Sequence, residues 1–123
     1  MLKDNRFSFV GRARAFGFAI AGLIYALKTG HAIWLQSVAA GMVVLAGLYF
    51  HITANDWRWI VLGITLVWTT EIMNTAVETV CDALHPDHHP VIGHAKDAAA
   101  GAVLMAAIGA ATIGALVFWP YVF

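Results

Sequence analysis

The sequence predicts an all-α integral membrane protein: an N-terminal amphipathic surface helix followed by three transmembrane helices, within one domain covering residues 1–123. Three observations predict it. The chain is 61% hydrophobic and only 11% charged, with a mean hydropathy of +0.77. A soluble domain of this size exposes too much surface for such residues to cover. Apolar runs long enough to cross about 30 Å of hydrocarbon, about 20 residues as helix, recur three times. Finally, five of the seven lysines and arginines (Lys3, Arg6, Arg12, Arg14 and Lys28) precede the first of those runs.

The surface helix is expected over about residues 6–28. Its core, SFVGRARAFGFAIAGLIYALK, sets Arg12 and Arg14 near the start and follows them with phenylalanines and small residues. Such a helix lies in the interface with its basic side chains toward lipid phosphates. A fourth spanning helix is the competing reading. No small-residue cleavage site follows a compact apolar core, which argues against a cleavable signal peptide.

The spans are expected at about 31–52, 58–84 and 96–121. The first contains AIWLQSVAAGMVVLAGLYFHI, with no formal charge when His51 is neutral; the Trp57-Arg58-Trp59 cluster anchors the second at the interface, and Trp119 with Tyr121 marks the far end of the third. Short connections make neighbouring spans antiparallel. The basic N-terminus belongs in the cytoplasm by the lysine and arginine rule. The segment 84–97 then returns there, facing the compartment that holds ATP. The net charge of zero gives no electrostatic case for nucleic acid. The single cysteine, Cys81, excludes an intrachain disulfide framework.

The stretch Thr69–Gly101 carries five of the seven acidic residues, three of them on a membrane helix. Glu71, Glu78 and Asp82 stand at i, i+7 and i+11, which return to within about 20° of one direction on an α-helix. Asn74, at i+3, borders this stripe, which is about 16 Å long. Ionisable groups at membrane depth are costly and face a protein interior or a wet cavity. Carboxylates in a row repel one another unless a cation sits among them, which suggests a hard divalent ion such as Mg²⁺. The competing reading is structural: Asp82 as the solvated helix end, and Glu71 as a hydrogen-bonded group at an oligomer contact.

These residues carry a resemblance. The run EIMNTAVETVCD, a short polar loop, and GHAKDAAAGAVL resemble the prokaryotic diacylglycerol kinase family, which includes the undecaprenol kinases. The family pattern E-x-x-N-[ST]-A-x-E-x-x-x-D followed by A-K-D is met at Glu71, Asn74, Thr75, Ala76, Glu78, Asp82, Ala95, Lys96 and Asp97. The resemblance implies a homotrimeric bundle in the bacterial inner (plasma) membrane, with its active site cytoplasmic. It implies transfer of the γ-phosphate of ATP to a lipid hydroxyl, that of diacylglycerol or undecaprenol, with Mg²⁺ as cofactor. Glu71 would be the catalytic base. Asn74, Glu78, Asp82, Gly93, Lys96 and Asp97 would bind the nucleotide, with Glu78 also a metal ligand. The small residues Ala98–Gly101, Gly109 and Gly114 suit close helix packing.

Three departures stand against this pattern. Alignment on Ala19-Ile20-Ala21-Gly22-Leu23 places His31 where the family has a second metal-binding glutamate, and Leu35 where it has an arginine. His31 is retained as a metal ligand only by position, since Mg²⁺ prefers oxygen. Phe18 stands where some members carry an aromatic hydroxyl. These changes support an alternative, a family descendant that is not a kinase and binds metal or acts on another phosphorylated lipid. The loop ALHPDHHPVIGH adds a further question: His85, Asp87, His88, His89 and His94 are either a transition-metal site or a turn punctuated by Pro86 and Pro90.

Overall fold

The computed structural model describes residues 6–123. Lys3, counted above in the basic N-terminus, lies outside the described residues. Helix α1 runs Phe9–Thr29, α2 Ile33–Phe50, α3 Ala54–Leu84 and α4 Pro90–Val122, and among the described residues there is no strand. All four helices, α1 included, are long and apolar enough to cross a membrane. The fourth-span reading of α1 therefore stands beside the surface reading on length and composition.

Helix α3 begins before its apolar run because its N-terminus is capped. Thr53 Oγ1 accepts from Asp56 N (3.1 Å) while Asp56 Oδ2 accepts from Thr53 N (3.3 Å), a reciprocal cap that satisfies two orphan amides. Tyr121, from the end of α4, donates to the same Asp56 Oδ2 at 2.7 Å. The start of α3 and the end of α4 are thereby tied together. Beneath this tie lies an apolar cluster of Ile52, Ile60 and Val117, with Phe50, Trp57 and Phe118 packed on it. Gly47 permits the close approach of α2: a Cβ there would stand 2.7 Å from the Trp57 ring.

Farther along, α3 and α4 pack as an antiparallel pair through small residues, with Gly63 facing Ala110 and Ile113. Helix α4 starts at Pro90, six residues ahead of the expected span. Proline is preorganised for the first helical position, and the neighbouring His89 supplies the cap, its Nδ1 accepting from Val91 N at 3.2 Å. Gly93, Lys96 and Asp97 thus stand on the opening turns of a helix. The loop between α3 and α4 shrinks to His85–His89. At the other side of α3, Gly30 ends α1, and Trp34 Nε1 donates to Leu27 O at 2.9 Å, fixing the turn between α1 and α2.

Candidate active site

The acidic stripe lies on the last four turns of α3. Its anchor is Glu71, which is 3% exposed. Its Oε1 is buried and accepts no hydrogen bond. An uncompensated carboxylate oxygen in an apolar setting is costly, and it is the kind of group a protein keeps for a proton or a ligand. One turn on, Asn74 donates from Nδ2 to Glu78 Oε1 at 3.1 Å, which fixes the amide orientation. Its Oδ1 is buried without a partner as well. Two oxygen acceptors are therefore held ready on one helix within a turn of each other.

Nearer the helix end, Lys96 of α4 reaches across the loop to Asp82 Oδ1 at 2.5 Å. Both side chains remain accessible, Asp82 the more so. Gly93 sits one turn before Lys96, half-buried, and its amide donates to His89 O at 2.8 Å. Asp97 is exposed on the next position of α4. The structure thus joins Asn74 with Glu78, and Asp82 with Lys96.

His31 is exposed in the turn between α1 and α2. Among the described residues, no three histidine, cysteine, aspartate or glutamate side chains gather closely enough to hold a metal ion by themselves. The histidine-rich loop has other employment. His85 donates from Nδ1 to Asp87 O at 2.8 Å and lies against the His89 ring, which caps α4.

Several neighbours of the site were given no contact or role from the sequence, although Thr75 was named there as part of the family pattern. Thr75 is buried and donates to Glu71 O at 3.1 Å. The turn at Gly30 presses on it, for a Cβ there would lie 3.2 Å from Thr75 Oγ1. Phe18 carries no hydroxyl, yet Tyr25, two turns later on α1, brings one to α3, 3.2 Å from Thr79 Oγ1. An apolar groove of about 280 Å³ separates these two helices and is bordered by Gly22, Ala26, Ile72 and Ala76. Trp68 Nε1, one turn before Glu71, is buried without a partner. With Gln36 it is a polar member of a second, partly open pocket of about 420 Å³ lined mainly by apolar side chains of α2, α3 and α4. The T-x-x-x-T spacing of Thr75 and Thr79, one turn apart on the helix, is the signal in the sequence for their pairing.

Fold and site together define a small multi-helix membrane protein whose α3 carries a row of carboxylates, buried at Glu71 and exposed at Asp82, at one end of a packed helix pair. The chain belongs to the prokaryotic diacylglycerol kinase family, a family of lipid kinases, whose sequence model matches residues 17–118. It is 33% identical over 118 residues to an undecaprenol kinase of Bacillus subtilis (strain 168), covering 96% of each chain. It is 35% identical over 107 residues to a diacylglycerol kinase of Synechocystis, covering 86% of this chain and 61% of that one. With the diacylglycerol kinase of Escherichia coli K12 it shares 28% identity over 120 residues, 98% of each.

Proposed function

We propose that this protein transfers the γ-phosphate of ATP to the hydroxyl of a membrane lipid, diacylglycerol or a polyprenol such as undecaprenol, at the cytoplasmic face of a bacterial plasma membrane. The observation that carries the reading is Glu71, almost wholly buried, with one oxygen unpartnered, on the helix face that also holds Asn74 and Glu78.

Phosphoryl transfer asks the protein for positioning and charge neutralisation more than for covalent chemistry. Glu71 is the base: its free Oε1 accepts the proton of the lipid hydroxyl as that oxygen attacks the γ-phosphorus and the bond from this phosphorus to the bridging oxygen breaks, releasing ADP. Lys96 supplies the cation for phosphate oxygens, and its pairing with Asp82 points the ammonium along the stripe. Gly93, without a Cβ, leaves backbone space for the nucleotide beside Lys96, and Asp97 borders that space.

The donor set fits a hard ion. Glu78 offers a carboxylate and Asn74 a buried, unpartnered amide oxygen, and Mg²⁺ is held by one or two protein oxygens together with substrate phosphates. A three-residue protein cage is not required. Glu78 and Asn74 would hold Mg²⁺, which when bound neutralises phosphate charge. The imidazole of His31 is a poor ligand for this ion and has only its place in the α1–α2 turn to recommend it.

In this reading helix α1 lies at the membrane surface, with Arg12 and Arg14 near its start toward lipid phosphates. The other three helices then cross, leaving the acidic end of α3 on the side of the basic N-terminus. A homotrimer accords with the extensive apolar surface left uncovered on α2 and α4.

The test is direct. Purified protein in lipid nanodiscs is given γ-labelled ATP, Mg²⁺ and, in separate reactions, diacylglycerol and undecaprenol. Label entering either lipid is the expected result; label in neither, with no ATP binding, overturns the proposal.

A further inference from the structure

We infer that Tyr25 is a positioning residue of the site, acting through Thr79 and Thr75 to set the α3 turn that carries Glu71. The inference rests on the reading of Glu71 as the base and extends it to helix α1.

The direction of the hydrogen bonds settles how the contact is wired. Thr79 Oγ1 lies 2.8 Å from Thr75 O and donates its single proton there. It therefore meets Tyr25 only as an acceptor, and Tyr25 is the donor of the 3.2 Å bond. Thr75, whose carbonyl takes the Thr79 proton, spends its own on Glu71 O at 3.1 Å. A continuous chain thus runs from the α1 phenol through two threonines to the backbone of the base. Hydrogen bonds from threonine to the carbonyl one turn back bend a helix and change its local pitch, so the chain acts on the turn from which the Glu71 side chain projects.

The same segment is pressed into place from α1. Ala26 is 2% exposed, and Ile33, just past the turn, 1%. Gly30 sits so near Thr75 that a Cβ would stand 3.2 Å from its hydroxyl and 2.7 Å from Ala26 O. Helix α1 is tied to α2 by the bond from Trp34 Nε1 to Leu27 O; against α3 the phenol is the directional part of a contact bordered by Gly22, Ala26, Ile72 and Ala76. The requirement it meets is strict: a displacement of about 1 Å of a catalytic group costs about a hundredfold in rate.

The experiment compares Tyr25→Phe, Thr79→Val, Thr79→Ser and Tyr25→Phe/Thr79→Val in lipid nanodiscs, with Glu71→Gln as comparator. Tyr25→Phe is expected to lower kcat about three- to tenfold, the size of one lost hydrogen bond, with KM for ATP and for the lipid unchanged. Thr79→Ser, which keeps the acceptor, is expected to retain wild-type kcat. The double variant is expected to be no slower than Thr79→Val alone, because both lie on one chain. Alkylation of Cys81, buried on α3, reports packing and is expected to proceed at the wild-type rate throughout.

Independent, multiplying losses in the double variant overturn the inference, as does an unchanged kcat in Tyr25→Phe. A raised lipid KM with kcat intact overturns it too, since it makes Tyr25 a substrate contact. Faster Cys81 alkylation in Tyr25→Phe also does so, by making the role one of general stability. Glu71→Gln separates this from the reading beneath it: a fully active Glu71→Gln removes the base assignment whatever the Tyr25 variants do, while an inactive one with uncoupled Tyr25 and Thr79 removes only the positioning role.

Discussion

Glu71→Gln is the sharpest perturbation available, because the structure separates its effect on chemistry from its effect on stability. The side chain is 3% exposed and its Oε1 makes no hydrogen bond. Glutamine has the same length and shape, so no protein hydrogen bond to that oxygen is lost and no cavity is opened. One unpartnered buried atom replaces another, and the stability change stays below about 1 kcal/mol. The loss in turnover is far larger. A positioned general base contributes about 10²–10⁴-fold, which at 1.36 kcal/mol per decade is about 2.7–5.4 kcal/mol of barrier. Glu71→Asp keeps the base but withdraws it by roughly one C–C bond, about 1.5 Å, and is expected to lose about a hundredfold. The assay is steady-state lipid phosphorylation alongside equilibrium ATP binding, with thermal unfolding as the control. Glu71→Gln is expected to bind ATP as the wild type does while kcat falls at least a hundredfold. Turnover within threefold of wild type, or loss of ATP binding together with turnover, refutes the assignment.

Both members of the Asp82–Lys96 pair are accessible, so the pair adds little to stability; Lys96→Met is therefore expected to leave the unfolding temperature within a few degrees of wild type while weakening ATP at least tenfold, and wild-type affinity would remove Lys96 from the site. His89→Ala deletes the cap of α4 and is expected to cost about 1 kcal/mol by thermal unfolding in detergent, with His89→Asp restoring most of it; equal stability of all three proteins would show the cap to be idle. Gly47→Ala drives a methyl group to 2.7 Å from the Trp57 ring, an overpacking expected to cost about 1–3 kcal/mol with ATP affinity untouched, since the clash lies at the opposite end of α3 from Glu71, Glu78 and Asp82.

The helices were legible in the apolar runs, because length and hydropathy alone decide what can cross hydrocarbon. Their ends were less so. Helix α3 starts at Ala54 because Thr53 and Asp56 cap each other; that T-x-x-D spacing stands in the sequence, but the Tyr121 bond that ties it to α4 joins residues 65 positions apart. Helix α4 starts at Pro90 because a histidine takes the role usually filled by Ser, Thr, Asp or Asn, so histidines and prolines that look like loop belong in part to a helix terminus. The acidic stripe was legible as periodicity, and the structure refines it into two pairs, Asn74 with Glu78 and Asp82 with Lys96. The α1 wall of the site was not legible: Tyr25 and Thr79 are 54 positions apart, and Gly30 reads as a helix breaker until Thr75 is seen beneath it.

The central claim is that one polar face of α3, buried at Glu71, brings a lipid hydroxyl and a magnesium-bound triphosphate to the same point. An experimental structure with Mg²⁺ and a non-hydrolysable ATP analogue measures this directly. The account predicts the metal against Glu78, phosphate oxygens on Lys96, and the terminal phosphate facing the Glu71 carboxylate. A nucleotide bound elsewhere, or a Glu71 side chain turned out toward lipid, contradicts it.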